Sequence, residues 1–170
     1  MLYLKVSLRI GDTSSVWLYQ AFGQPEEGRI VDNIRKACKQ TLSLVAVSGE
    51  KIAGHIFFSP AIILHNDAPI IGMGLAPMAV LPEFQNQGIG SMLVKEGLRR
   101  AKATDCPFIV VLGHEHYYPR FGFERASKYG IKAQWEGVPD EAWMVLVLKK
   151  SVMAGVSGVV KYRSEFDIAM

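Results

Sequence analysis

The residue types and spacing that point most directly to chemistry lie in residues 85–91, which read QNQGIGS. This stretch follows an apolar, strand-like run that ends near Val80 and begins a helical pattern. The first turn of a helix has N–H groups without partners, and the helix dipole adds partial positive charge there. Because Gly88 and Gly90 lack a Cβ atom, an anion such as a phosphate can approach the backbone closely. The pattern predicts a phosphate site, and the alternative is a tight turn into a helix without a ligand.

Two other kinds of phosphate loop do not fit this segment. A P-loop requires a Gly-Lys-Ser/Thr ending, and no lysine stands beside these glycines. A dinucleotide fingerprint requires Gly-x-Gly-x-x-Gly followed by an acidic residue, and the first glycine position does not match.

The helix after the glycines should pack on a sheet, because its apolar residues recur on one side. These are Ile89, Leu93, Val94, Gly97, Leu98 and Ala101. The helix leads to an apolar run at Phe108–Leu112, so this strand and the strand ending near Val80 should be parallel, with a right-handed crossover. Residues 42–63 read as a hairpin with a turn at SGEK. Further strands are predicted at residues 3–10, 72–80, 142–150 and 159–166, and further helices at 16–22 and 26–38.

These elements predict an α/β fold, a mixed sheet with helices on its faces, in one domain spanning residues 1–170. The net charge of +3 is too small and dispersed to indicate nucleic-acid binding. No apolar run approaches the ~20 residues that cross a bilayer, so no membrane association is expected. Cys38 and Cys106 stand alone, which indicates neither a metal site nor a disulfide and favours a cytoplasmic location.

Two segments resemble motifs of a known family. Residues 75–94 (LAPMAVLPEFQNQGIGSMLV) are similar to the acetyl-CoA binding motif of the GCN5-related N-acetyltransferase (GNAT) family, and residues 110–126 (VVLGHEHYYPRFGFERA) to its Tyr-x-x-x-Gly-Phe element. GHIFFSP, YYPRFGF and GVSGVVKYRSEF resemble the YhbS-like branch of that family. The resemblance covers nearly the whole chain. It implies the GNAT fold, a mostly antiparallel sheet with one splayed parallel strand pair and helices on both faces, and an enzyme that uses acetyl-CoA.

The resemblance also implies where the cofactor lies. The pantetheine arm would pair with the backbone of the strand before the loop, at Met78, Ala79 and Val80, where the N–H near Met78 would polarise the thioester carbonyl. The pyrophosphate would be held by Gln85, Gln87, Gly88, Ile89, Gly90 and Ser91.

For catalysis, Tyr118 takes the place of the family's tyrosine, which donates a proton to the departing coenzyme A; the alternative is an aromatic that only packs. Adjacent Tyr117 is interpreted as structural. No carboxylate lies in residues 72–78, so the base is harder to place. His114 follows the strand directly and is a candidate for the base, because an imidazole can accept a proton near neutral pH. The alternatives are that His114 is only a hydrogen-bonded loop residue, or that the amine loses its proton to water.

The acceptor is expected to be a small-molecule or peptide amine that attacks acetyl-CoA directly in a ternary complex. The resemblance places it near residues 22–34 and 61–70, where Glu26, Glu27 and Asp32 either attract an ammonium group or complement the helix dipole. A homodimer is a further expectation from the resemblance. The alternatives are a non-catalytic acyl-CoA sensor of the same fold, and transfer of a longer acyl chain or transfer to oxygen.

Overall fold

The computed structural model describes residues 4–8 and 25–167. In this part of the chain, nine strands form one mixed sheet. The helix predicted at residues 16–22 lies outside the described residues. The strands are β1 (Leu4–Leu8), β2 (Leu42–Ser48), β3 (Lys51–His65), β4 (Ala68–Val80), β5 (Phe108–Leu112), β6 (Glu124–Arg125), β7 (Ile131–Ala133), β8 (Trp143–Val147) and β9 (Gly158–Lys161). The helices are α1 (Pro25–Ala37), α2 (Ile89–Lys102) and α3 (Lys150–Met153).

The sheet runs in the order β1-β2-β3-β4-β5-β8-β6, and β9 pairs with both β3 and β7. Strands β1 to β4 pair in sequence order, each antiparallel to the next, and the β2–β3 pair is the predicted hairpin. Strand β4 pairs in parallel with β5, and α2 lies between them in the chain, which confirms the predicted parallel pairing. The β7–β9 pair is also parallel.

Strands β3 and β4 are longer than their sequence pattern predicted. They are joined by a turn at Asn66 and Asp67, whose φ angles are 49° and 62°. Two successive residues in this left-handed conformation form the tight hairpin turn that matches the twist of the strands. Residues 61–65 and 68–70, most of the second region expected near the acceptor, are therefore strand.

The end of β4 separates from β5, and this separation positions the site. The parallel pairing comprises Met73 with Ile109 and Gly74 with Val110, after which β4 continues to Val80 beside β3 alone. Phe58 pairs with Leu75 and Ile56 with Met78, so two residues of β4 stand opposite one residue of β3. Such a bulge bends a strand and increases its twist. The bulge therefore lies where β4 leaves β5.

The sheet buries both faces, each under a different helix. On one face, Ile34 of α1 packs in a cluster with Phe57 and Val110. On the other face, Leu93 of α2 packs in a cluster with Phe58. Helices on both faces and one splayed parallel pair agree with the predicted fold class.

The C-terminal segment completes the first of these faces. It was predicted as a strand over residues 159–166, and the structure forms only β9 before a 3₁₀ turn at Ser164–Phe166. This turn packs against α1.

Candidate active site

A cleft of about 900 Å³ opens where β4 and β5 separate. Its floor and sides come from the end of β4, the loop and first turn of α2, and the segment that follows β5. A further wall comes from α1 and from residues near the C-terminus. Parts of the chain that are far apart in sequence therefore meet at the point that the parallel strands leave open.

The loop before α2 is shaped by its own backbone and amides. Gly88 caps the helix in the left-handed conformation, with φ at 84°, and no side chain caps the first turn. A Cβ atom at Gly88 would have no neighbour within 4 Å, so the space in front of it is open. Gln85 donates to the Val80 carbonyl at 3.1 Å, and Gln87 donates to the Glu83 carbonyl at 2.8 Å. The amides hold the loop, and the N–H groups of the first helical turn remain for a ligand.

Most of the residues expected to hold the cofactor lie on the cleft. Those that line it are Met78, Val80, Gln85, Gly88, Ile89, Gly90 and Ser91. Ala79 and Gln87 do not line it. Ala79 pairs with His55 and is only 9% exposed, and the Gln87 amide is engaged at Glu83.

Tyr118 lies at the end of the cleft nearest β5 and is 6% exposed. Its ring packs so tightly on Gly113 that a Cβ atom there would come within 2.3 Å of the ring. It also makes edge contacts with Tyr117 and Phe123, at centroid distances of 5.1 and 5.6 Å. Burial, and secondarily the neighbouring Tyr117, raises the pKa of Tyr118 well above that of a free tyrosine. The hydroxyl therefore keeps its proton at neutral pH.

Tyr117 points the other way, toward the start of α2. Its hydroxyl is buried and has no hydrogen-bond partner among the described residues. A Cβ atom at Gly90 would lie 2.8 Å from this hydroxyl oxygen, so the ring ends directly on the first turn of the helix. The guanidinium of Arg120 lies over the same ring, 4.6 Å from its centroid. Tyr117 thus stands between a cation and the helix N-terminus.

One histidine lines the cleft and another lies in the core. His114 lines the cleft and is exposed, and its carbonyl accepts the N–H of Tyr117 at 3.0 Å. His55 is fully buried away from the cleft and lies 2.9 Å from the Ser43 hydroxyl, which accepts a hydrogen bond from Arg35. Burial, and secondarily the positive charge of Arg35, lowers the pKa of His55 to about 3. His114 is therefore the histidine placed to meet a ligand in the cleft.

Aromatic residues form the wall opposite the loop. Tyr162 packs against Trp135 and Phe166, at centroid distances of 5.2 and 5.3 Å. Its hydroxyl donates to the carbonyl of Val110, the last residue of β5 that pairs with β4, at 3.2 Å. Ile30 of α1 also lines this side. Of the two regions expected to hold the acceptor, residues 22–34 reach the cleft through Ile30, and residues 61–70 do not line it.

Comparison with known proteins agrees with this architecture. A model of the acetyltransferase (GNAT) domain matches residues 39–125. YhbS, an N-acetyltransferase of Escherichia coli, is 33% identical over 151 residues, which are 88% of this chain and 89% of YhbS. The chain belongs to the GNAT acetyltransferase family. It is an acetyl-CoA-dependent acetyltransferase.

Two crystal structures of GNAT acetyltransferases resemble this one closely. That of E. coli YhbS in complex with CoA has a TM-score of 0.89 at 29% identity, covering 98% of this chain and 93% of its own. That of a GNAT acetyltransferase from Brucella melitensis in complex with acetyl-CoA has a TM-score of 0.73 at 30% identity, covering 97% and 99%. The splayed, mostly antiparallel sheet is thus the GNAT fold. Among the helices described for this GNAT acetyltransferase, none is both long and apolar enough to span a membrane.

Sequence reasoning missed several residues of this GNAT cleft. Arg120 is not among the predicted site residues, and Tyr117, for which a structural role is predicted, also lines the cleft. The signal for Arg120 was present, since it is a cation two residues after the predicted proton donor. No local signal marked Tyr162 and Phe166, because they reach the cleft only through the pairing of β9 with β3 and β7.

Proposed function

We propose that this acetyltransferase moves the acetyl group of acetyl-CoA to the amine of a small molecule or peptide by direct attack in a ternary complex. One observation carries the proposal. The open N-terminus of α2, the separated end of β4 and the buried, protonated Tyr118 all face one cleft. A phosphate site, a channel for an extended arm and a proton donor are the three parts that transfer from a CoA thioester requires.

The residues present fit the cofactor. Gly88, whose Cβ position has no neighbour within 4 Å, leaves the start of the first helical turn open to phosphate groups, and α2 contributes its dipole. The end of β4 has left its parallel neighbour, so the polar backbone around Met78 can bind the pantetheine arm as a strand would. Acetyl-CoA supplies the activated acetyl group in the form of a thioester.

In the reaction, the neutral amine nitrogen attacks the thioester carbonyl, so that a C–N bond forms and the C–S bond breaks. The departing thiolate takes a proton from Tyr118, which is protonated at neutral pH and afterwards recovers a proton from solvent. The surplus proton of the amine leaves to His114 or to water. His114 suits this role because it lines the cleft and is exposed.

Direct attack is favoured over an acetylated enzyme by the position of the thiols. Cys106 is buried outside the cleft, and burial raises its pKa to about 11. A thiol in that state is a poor nucleophile, because the thiolate is the reactive form. Cys38 does not line the cleft either.

The first experiment is calorimetric titration of the protein with acetyl-CoA, CoA, ATP and NAD. Binding of the two CoA species alone, followed by thiol release when amines are added, is the expected result. Binding of ATP or NAD in their place would contradict the assignment of the loop. Binding of CoA without thiol release over a broad amine panel would favour a sensor of acyl-CoA over an enzyme.

A further inference from the structure

The loop that should receive the cofactor phosphates contains no cation. Residues 81–94 include Glu83 but neither lysine nor arginine. The amides of Gln85 and Gln87 are bonded back to the loop's own carbonyls. The loop therefore offers N–H groups and a helix dipole, while the diphosphate and 3′-phosphate of CoA carry several negative charges. The helix end contributes only about half a positive charge.

Arg120 is the one lysine or arginine among the described residues that line the cleft. It belongs to the 3₁₀ turn Tyr118–Phe121, in the segment that follows β5. Its Nε donates to the carbonyl of Tyr117 at 3.2 Å. Its guanidinium lies over two rings, 4.6 Å from the centroid of Tyr117 and 5.6 Å from that of Phe121. Stacking and one hydrogen bond thus orient the side chain and leave its terminal nitrogens for a ligand.

Tyr117 connects this cation to the helix. One end of its ring supports Arg120, and its hydroxyl lies against Gly90 in the first turn of α2. The hydroxyl has no hydrogen-bond partner among the described residues. Because this oxygen is buried against the helix, the ring is held by packing between Arg120 and α2. The cation and the helix N-terminus therefore lie on two sides of the same ring.

We propose that Arg120 binds a phosphate group of the cofactor, supplying the charge that the loop lacks, and that Tyr117 holds Arg120 in position for it. This inference rests on the proposed function of the cleft. Arginine suits the role because its planar fork donates two parallel hydrogen bonds to phosphate oxygens. The phosphate site is then built from two parts of the chain: backbone N–H groups from α2 and one side chain from the segment after β5.

Arg120→Gln tests the proposal, with Arg125→Gln as the matched control. Arg125 undergoes the same change of charge five positions away, outside the cleft, where its partner is Asp140 at 3.6 Å. Affinity for CoA is measured by calorimetry at low and at physiological salt. We expect Arg120→Gln to weaken CoA binding by about 10- to 100-fold, in the range of one charged hydrogen-bond pair, and to reduce its salt dependence. Equal affinities of Arg120→Gln and Arg125→Gln for CoA would overturn the proposal.

Two further ligands separate a phosphate contact from a structural effect. Pantetheine has no phosphate, so both variants and the unaltered protein should bind it equally in competition experiments. If Arg120→Gln weakens pantetheine as much as CoA, Arg120 acts through the fold and the proposal is wrong. If Arg120→Gln weakens the binding of 3′-dephospho-CoA as much as that of CoA, Arg120 contacts the diphosphate. If the unaltered protein binds no CoA at all, the proposed function itself fails.

Discussion

Tyr118 shows how the position of a side chain determines its chemistry. A tyrosine hydroxyl in water has a pKa of about 10, and it loses its proton only in alkaline solution. Burial against Gly113 raises that pKa further, because the charged phenolate would be poorly solvated. The hydroxyl therefore keeps its proton through the neutral range, where it can hydrogen-bond to a departing thiolate and protonate it. A phenolate with a raised pKa is a stronger base than a thiolate, so Tyr118 recovers any proton that it gives.

Tyr118→Phe should lower kcat by about 100-fold while the CoA dissociation constant stays nearly unchanged, because only the proton is lost and the ring still packs. Steady-state kinetics with any verified amine and calorimetry with CoA measure the two quantities. For the unaltered enzyme, kcat should not fall between about pH 7 and 9, since Tyr118 stays protonated there. Tyr129→Phe, which removes an exposed hydroxyl, is the control. An unchanged kcat in Tyr118→Phe would assign the proton to another donor.

His55 should make the free energy of unfolding depend on pH between about 5 and 7, where few carboxylates titrate. Its pKa is 6.5 when unfolded and about 3 when folded, so the unfolded chain binds a proton that the folded protein excludes. The stabilisation is complete above 6.5 and is lost as pH falls toward about 3. Below about pH 6, the free energy of unfolding should fall by about 1 kcal/mol per pH unit.

Urea unfolding at about pH 7, 6 and 5 measures this slope, because acidic groups titrate mostly below that range. His55→Gln should flatten the slope even if it lowers stability at every pH. His116→Gln, at an exposed histidine, should leave the slope unchanged. A slope that persists in His55→Gln would show that another group takes up the proton.

At the level of single residues, sequence reasoning was strongest where chemistry depends on local spacing. Gly88 and Gly90 at the start of α2 and Tyr118 after β5 follow from short motifs, and all three residues line the cleft. The direction of a ring does not follow from spacing. Tyr117 and Tyr118 are adjacent, and only the packing of each ring, on Gly90 or on Gly113, tells their surroundings apart.

Among the elements, the start of α2 is the one whose shape most directly determines ligand binding. Gly90 is its second residue, and its φ is not in the left-handed region, so the backbone itself would accept alanine. The obstacle is the hydroxyl of Tyr117, 2.8 Å from the position of a Cβ atom. The glycine is thus required by a side chain from another element and not by its own conformation.

Gly90→Ala should therefore weaken CoA binding by displacing Tyr117, although alanine alone favours a helix by up to about 1 kcal/mol. In a Tyr117→Phe background, where the clashing oxygen is gone, the same substitution should raise stability. A double-mutant cycle of denaturant midpoints measures the coupling, and calorimetry with CoA measures its effect on the site. Additive effects of the two substitutions would show that the two residues do not interact.

The elements themselves were largely predictable, with two exceptions. Helix α1, the β2–β3 hairpin and the β4–α2–β5 crossover follow from periodicity and turn residues. The length of β3 and β4 was missed because their turn, at Asn66 and Asp67, has no glycine to mark it. The very short strands β6 and β7 were missed because two or three residues carry no period.

Across the whole molecule, the cleft depends on contacts between parts that are far apart in the chain. The C-terminal segment reaches it because β9 pairs with β3 and β7, and the Tyr162 backbone N–H is fixed by the Gln134 side chain at 2.7 Å. Tyr162 then fills the space above Gly74, where a Cβ atom would come within 2.3 Å of its ring. Such long-range pairing is invisible to local patterns, which is why this wall of the cleft was not predicted.

Tyr162→Phe tests whether this segment secures the point where the strands separate. The substitution keeps the ring and removes the hydrogen bond to the carbonyl of Val110, which is a fully buried residue. We expect a loss of about 1–2 kcal/mol in the free energy of unfolding, because a buried acceptor loses its partner. In the control, Tyr129→Phe removes an exposed hydroxyl that bonds to Glu124, and the change should stay within about 0.5 kcal/mol. Equal losses in the two variants would mean that the Val110 carbonyl finds another donor, and that the rings alone hold the C-terminal segment on the cleft.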